Sequence, residues 1–336
     1  MIKDVNVTID IQNVVGALGL GYPLIVFKNT SAVAYAETDL QTARNTYTAI
    51  DDVIDNIMSG TNPPEKIAVI GLAEVTEETV TAAINAVMEK GWRQLVIADS
   101  DFSATKTFLT AIEATDKMLF VPTAALPTLS GGDTWDYERI VAVSGSTFAD
   151  AETGITNIAC ILGATCGQEV GSFTYKNTIV NNGSVMDNAA YRTATASTAS
   201  NPPFLAILEK CGDNVISDGL TVGGDYIDVI DSKDYIINQL EYKTQKTLNN
   251  QKKVPYTNNG VAMLESVAID VLNSAYNNGM IAEKEDGSPD YSVNYALRED
   301  STAEDIQARK YIGGKFGFVL SGAIHTVKIN GTIKYV

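Results

Sequence analysis

Between Lys66 and Val143 the chain alternates short apolar runs with amphipathic ones, and few folds accommodate that rhythm. Ile67 to Ile70, Leu95 to Ala98, Met118 to Val121 and Ile140 to Val143 are each too short for a buried helix and read as strands. Helical patterns lie between the first three, over residues 76–91 and 103–114, the first opened by Thr76-Glu77-Glu78-Thr79 as a capping signal. Strands apolar on both faces and separated by helices predict a parallel or mixed sheet covered on both sides, an α/β domain. Ahead of it, Leu24 to Phe27 forms a further strand pattern. Residues 38–58 show a helical period through Leu40, Ala43, Tyr47, Ile50, Val53, Ile54 and Ile57, stopped by Gly60 and Pro63-Pro64.

Residues 149–163 read as one more helix. Gly, Asn, Ser and Thr then dominate to about residue 201, including Asn181-Asn182-Gly183, which marks a mobile polar boundary between domains. A second body follows, with strand patterns at 204–208, 214–216 and 226–230. Long helices are expected over 232–249 and 261–277, a strand over 291–297, and a short helix over 301–310 opened by Thr302-x-x-Asp305.

Both ends of the chain carry strand chemistry. Val5, Val7, Ile9 and Ile11 alternate with Asn6, Thr8 and Asp10; Gly16, Gly19 and Gly21 then form an elbow before the body. At the other end Phe316, Phe318 and Leu320 alternate. Ile324, Val327 and Ile329 lead to Asn330-Gly331, the strongest hairpin signal, and then to Ile333-Lys334-Tyr335. Residues 309–336 hold Arg309, Lys310, Lys315, Lys328 and Lys334 and no acid, in a chain of formal charge -17. Two arrangements satisfy this ribbon: a hairpin within its own domain, or a strand lent to the sheet of a neighbour whose body has the opposite sign. Pattern alone does not choose between them.

The acidic body disfavours nucleic acid and anionic membranes as partners. No apolar stretch is long enough to span a bilayer. Cys160, Cys166 and Cys211, with His325 as the single imidazole, give neither a disulfide framework nor a zinc site, and no cofactor or metal is expected. The elbow glycines lack dinucleotide-fingerprint spacing and precede a strand. Where an α/β sheet would place a ligand stand Asp99, Ser100 and Asp101 after one strand and Ser144, Gly145 and Ser146 after another. These residue types cap helices far more often than they catalyse. Asp286 to Asp290 is a turn by composition, and His325 has no orienting carboxylate nearby in sequence. A hydrolytic or ligand-binding α/β enzyme using the Asp99 and Ser144 loops is thus the alternative reading, with a non-contractile tube or shell subunit as another.

The later part of the chain resembles the contractile-tail sheath proteins of bacteriophages and R-type, phage-tail-like bacteriocins. The resemblance rests on Leu220-Thr221-Val222-Gly223-Gly224-Asp225-Tyr226-Ile227, Asp231-x-x-Asp234-Tyr235-Ile236, Asn258-Asn259-Gly260 and the ending from Phe318 through Gly322-Ala323-Ile324-His325 to Gly331. It implies an α/β outer domain plus an α+β C-terminal sheath body, with extended N- and C-terminal strand arms. The arm and elbow would be residues 1–20, the outer domain with its polar boundary 21–200, the tube-side body 201–325 and the C-terminal arm 326–336. Val5, Val7, Ile9, Ile11, Val327, Lys328, Ile329, Ile333, Lys334 and Tyr335 become the intersubunit arm candidates. The implied partners are other copies in stacked rings, an inner tail tube protein, and baseplate and tail terminator proteins. The particle would be assembled in the bacterial cytoplasm, with no catalytic role for the subunit. The chain is short for such proteins and lacks their proline-rich opening.

Overall fold

The computed structural model describes residues 20–128, 134–197 and 201–329. Its first half follows the expected alternation: β1 (Tyr22–Lys28), β2 (Val33–Asp39), α1 (Leu40–Thr46), α2 (Asp51–Met58), β3 (Lys66–Leu72), α3 (Glu77–Asn85), β4 (Trp92–Ala98), α4 (Lys106–Glu113), β5 (Met118–Pro122), β6 (Ile140–Val143) and α5 (Ala151–Thr165). The strands form one sheet in the order β2-β3-β1-β4-β5-β6. All its pairings are parallel except the edge strand β2, which runs antiparallel to β3. Strand periodicity sorts the core into two layers. Leu24, Val26, Leu95, Leu119 and Ile140 face α3 and α4. Ile25, Phe27, Ile67 and Val69 face α1 and α2, while Val96, Phe120 and Val141 face α5.

The single helix expected over 38–58 is two. Asp39 caps α1 by accepting from the Thr42 amide at 2.9 Å, and Tyr47 leaves helical geometry before a 3-10 turn over 48–50. Gly60 does more than stop α2: a Cβ there would lie 2.1 Å from the Gly163 carbonyl, so glycine lets α2 and α5 touch backbone to backbone.

Up to residue 197 the polar stretch after α5 is held by side-chain hydrogen bonds, although its composition reads as mobile. Buried Asn157 donates to the carbonyls of Ser144 and Ser184 and accepts from the Ser184 amide, at 2.7–2.9 Å. Asn181 donates to the Ser59 carbonyl at 2.9 Å. Asp187 caps α6 (Asn188–Ala196). Polar side chains here hold local backbone groups, and composition alone cannot distinguish that use from solvation.

The chain then returns to the sheet. Leu205 lies beside β6, its amide donating to Ala142 and its carbonyl accepting from Ser144, both at 2.8 Å. The hairpin β7 (Ile207–Lys210) and β8 (Asp213–Ile216) follows, and the Val222 amide donates to Ile140 at 2.9 Å. Phe204, Ala206, Leu208 and Val222 belong to the α3–α4 layer, so the α/β core extends well past residue 200.

The second half comprises α7 (Ile227–Asn250), α8 (Asn258–Asn277), β9 (Tyr291–Tyr295), α9 (Ala303–Gln307) and β10 (Gly314–Phe318). Residues 226–230, expected as a strand, form the cap and first turn of α7. Ile227 and Ile230 are one helical turn apart and both buried, a spacing hidden in a β-branched run. Val271, Leu272 and Ala275 of α8 pack with Tyr235 and Ile236 of α7, and Tyr291, Val293 and Phe318 of the β9–β10 ribbon lie against them. Thr302 caps α9 as its sequence predicts, accepting from the Asp305 amide at 3.1 Å.

A buried ion cluster joins the two halves. Arg93 of β4, 3% exposed, reaches Asp231 at 2.9 Å and Asp234 at 2.6 Å on α7. Arg139, just before β6, donates to Asp234 through both terminal nitrogens. Burial pushes the Asp234 carboxyl up, but hydrogen bonds from Arg139 and the charge of Arg93 outweigh it and hold it below its ordinary value.

Candidate functional site

The residues proposed for enzyme chemistry are absorbed by turns and caps. Asp99 accepts from the Asp101 amide at 2.9 Å, a local turn bond. Ser144 is fully buried with its hydroxyl against the Met186 sulfur at 3.6 Å, and Ser146 donates to the α5 cap Asp150 at 2.8 Å. Hydrogen bonds from Thr153 and then Ser146 hold Asp150 below the ordinary carboxyl range. Asp286 accepts from the amide and hydroxyl of Ser288, as a turn residue does. Among the described residues no cluster of His, Cys, Asp and Glu could hold a metal ion. No helix among them is long and apolar enough to cross a membrane.

In the second half, β9 and β10 form a two-stranded sheet of their own. β9 and β10 pair antiparallel with Phe316 opposite Val293. The Ala296 amide donates to Gly313 at 3.0 Å and the Val319 amide to Asp290 at 2.9 Å, which fixes the alternation between them. The ladder therefore joins Asn294 to Lys315 and Ser292 to Gly317. The amides and carbonyls of Gly314, Phe316 and Phe318 point out along one edge, and those of Tyr291, Val293 and Tyr295 along the other. A two-stranded ribbon in this state offers strand-pairing edges on both sides. Tyr311 stacks on Tyr295 at 5.9 Å and meets Tyr256 at 6.2 Å, which ties the ribbon to the α7–α8 turn. Phe316 stays 43% exposed. Glu283, Glu285, Asp286 and Asp290 lie in the turn that leads into β9, closed where Asp290 donates to Ala282 at 2.8 Å.

After β10 the chain is tied down once more, by the Ser321 amide on the Met280 carbonyl at 2.9 Å. Residues 321–329 then run without regular structure, although alternation predicts a strand. Ile324 is 84% exposed, Val327 71% and Ile329 87%. Lys328 is exposed with them. A strand pattern with no edge of its own chain beside it has nothing to pair with, which accounts for the difference. Of the other arm candidates, Val5, Val7, Ile9, Ile11, Ile333, Lys334 and Tyr335 lie outside the described residues, as do Gly16, Gly19 and the Asn330-Gly331 turn. Gly21 adopts φ +140° where a Cβ would meet the Gly91 carbonyl at 2.5 Å, so that elbow position admits only glycine.

A third surface is basic. At the far end of α7, Lys243 pairs with Asp270 of α8 at 2.6 Å, and Lys246 lies over the Tyr242 ring. Lys252 and Lys253 follow, exposed, in the turn. The free ribbon edges and the ion cluster were the features sequence reasoning missed. An arginine inside the apolar run Trp92-Arg93-Gln94-Leu95 was the available signal for the cluster.

Residues 227–289, from α7 to the turn before β9, match the family described as E217 tail sheath protein gp31-like, C-terminal domain. No curated protein matches the chain by sequence. Its fold matches that of the helical sheath of the anti-feeding prophage in its contracted state, with TM-score 0.66 and 13% identity over 94% of this chain and 93% of that one. It also matches the contracted sheath complex of the extracellular contractile injection system PVC, with TM-score 0.63 and 12% identity over 99% and 96%. The sheath tail protein of Desulfitobacterium hafniense aligns with TM-score 0.55 and 11% identity over 90% and 97%. The fold is that of contractile-sheath proteins. The chain spans nearly the full length of each of these, against the expectation that it is short for such proteins.

Proposed function

We infer that this chain, which has the sheath fold and carries the sheath C-terminal domain motif at residues 227–289, is the repeating subunit of a contractile sheath. The observation that carries this reading beyond fold is the pairing of supply and demand in one subunit. A segment bearing exposed Ile324, Val327 and Ile329 leaves the body, and a ribbon with two open edges waits on it. Copies placed head to tail satisfy both, and such a contact repeats into rings or helices without closing on itself.

The energetics explain why exchange belongs to a lattice. Ordering each residue of a free segment costs about 1–2 kcal/mol. Each net backbone hydrogen bond returns about 1 kcal/mol, and each fully buried Ile or Val about 1.5–3 kcal/mol. One exchanged strand is therefore close to neutral, and stability arises when every subunit is held by several at once. The basic segment, with Lys328 and Lys334, is drawn to the acidic turn beside the ribbon, which sets its register.

Subunits stack as rings around an inner tube, with the α/β body, completed by residues 204–222, outward, the second half from α7 onward toward the tube, and the basic end of α7 presented to an acidic partner. Baseplate and terminator proteins bound the stack. Contraction then moves whole bodies between two lattices while backbone-paired arms keep neighbours joined, and the energy difference lies in the body contacts, with no nucleotide consumed. The subunit's role is mechanical and not catalytic. It is made in the bacterial cytoplasm and works in a phage tail or phage-tail-like particle.

Negative-stain electron microscopy of the full chain, with its tube partner absent and then present, tests this. Striated hollow cylinders or stacked rings are expected, and deletion of residues 326–336 should leave folded monomers that form neither. Discrete small particles from the intact chain in both samples, or normal cylinders from the truncation, would refute the reading.

A further inference from the structure

We propose that His325 is the anchoring residue that fixes where the exchangeable C-terminal segment leaves the subunit; this rests on the sheath reading above. Between residues 321 and 329 it is the one position that is not exposed. Its Nε2 shares a 3.1 Å hydrogen bond with the Thr174 hydroxyl, and its ring stands edge to face with Tyr226 at 5.0 Å. Both partners are fixed in the body. Thr174 sits between Phe173 and buried Tyr175, which packs on Phe120 of β5, and its carbonyl accepts from Thr178 at 2.7 Å. Tyr226 caps α7, its carbonyl accepting from the Ile230 amide at 3.2 Å. The chain is thus held at Ser321, bridges freely across Gly322, Ala323 and Ile324, and is held again at His325.

The consequence is geometric. With the anchor in place, the exposed run from Thr326 to Ile329 starts from one defined spot on the body. Without it the free length begins at Gly322, and the same residues search a larger volume from a more distant root. The ordering that the anchor supplies in the free subunit must then be supplied during assembly, and the local concentration of the strand at its acceptor falls.

The chain's single histidine makes the test direct. Selective 13C labelling gives one imidazole Cε1–H signal. Below the polymerisation threshold that signal is expected to be displaced from its free-peptide position by the Tyr226 ring, and it should move toward that position in Tyr226→Leu and in Thr174→Val. A wild-type signal already at the free-peptide position overturns the anchor. By sedimentation, His325→Ala is expected to raise the critical concentration for polymer about fivefold, the factor carried by one net hydrogen bond. Thr174→Val should reproduce that loss. His325→Gln, whose amide keeps a polar atom near the Nε2 position, should recover most of it. Equal thresholds for wild type and His325→Ala, or a His325→Gln no better than alanine, overturn the proposal. If the wild type forms no polymer, the sheath reading fails and the imidazole signal still decides the anchor.

Discussion

At Asp234 a single carboxylate answers two guanidinium groups, Arg93 and Arg139, in a site that water scarcely reaches. Asp234→Ala leaves both cations buried with half their neutralising charge, and breaking a buried pair in this way typically costs about 3–5 kcal/mol. Guanidinium melts should show that loss as a lower midpoint at unchanged slope. The sign of the pH effect follows from the depressed carboxyl. Its contribution is fully present above the unfolded value of about 3.9 and is lost as pH falls through the lower folded value. Stability of the wild type should therefore drop below about pH 4 more steeply than that of Asp234→Asn. A parallel decline in the two would show that Asp234 carries none of it. Asp231-x-x-Asp234 was visible in the sequence as a helix motif, but the charges that meet it, at positions 93 and 139, become neighbours only once β4 and β6 lie in one sheet.

At the level of elements, the β9–β10 alternation makes a prediction that separates the two edges. Phe316→Pro removes an outward amide without touching a ladder bond, and edge strands tolerate proline in that orientation. If a neighbour adds to β10, this variant should remain a folded monomer, melting within a few degrees of wild type, and form no cylinders. Val293→Pro puts the same question to the β9 edge. Cylinders from both variants would exclude strand addition at the ribbon. Elements with a strong period were legible in advance: β3, β4, β5, β6, α4, α5 and α8 all lie where apolar spacing placed them. What escaped were elements set by tertiary context. β2 is a half-exposed edge strand whose alternation is faint, and α6 stands on the Asp187 cap with only Tyr191 and Ala194 turned to the core, too little apolar spacing to read as a helix. Residues 324–329 erred the other way, because strand chemistry reports a capacity to pair and not the presence of a partner.

For the whole molecule, charge is distributed so that like bodies repel and unlike parts attract, with -17 overall and a basic segment at one end. Lys328→Glu with Lys334→Glu should raise the polymerisation threshold several-fold at about 0.05 M salt and much less at about 0.5 M, where the screening length falls to a few ångströms. A salt-independent effect would assign the two lysines to keeping the edge soluble. The return of Leu205 and Val222 to the sheet beside β6 has a consequence for synthesis. Chains emerge from the ribosome amino end first, and this α/β core stays unfinished until Val222 is out. The segment that a neighbour would borrow emerges only after both long helices. Each nascent chain can thus close its α/β core before its C-terminal segment is within a neighbour's reach.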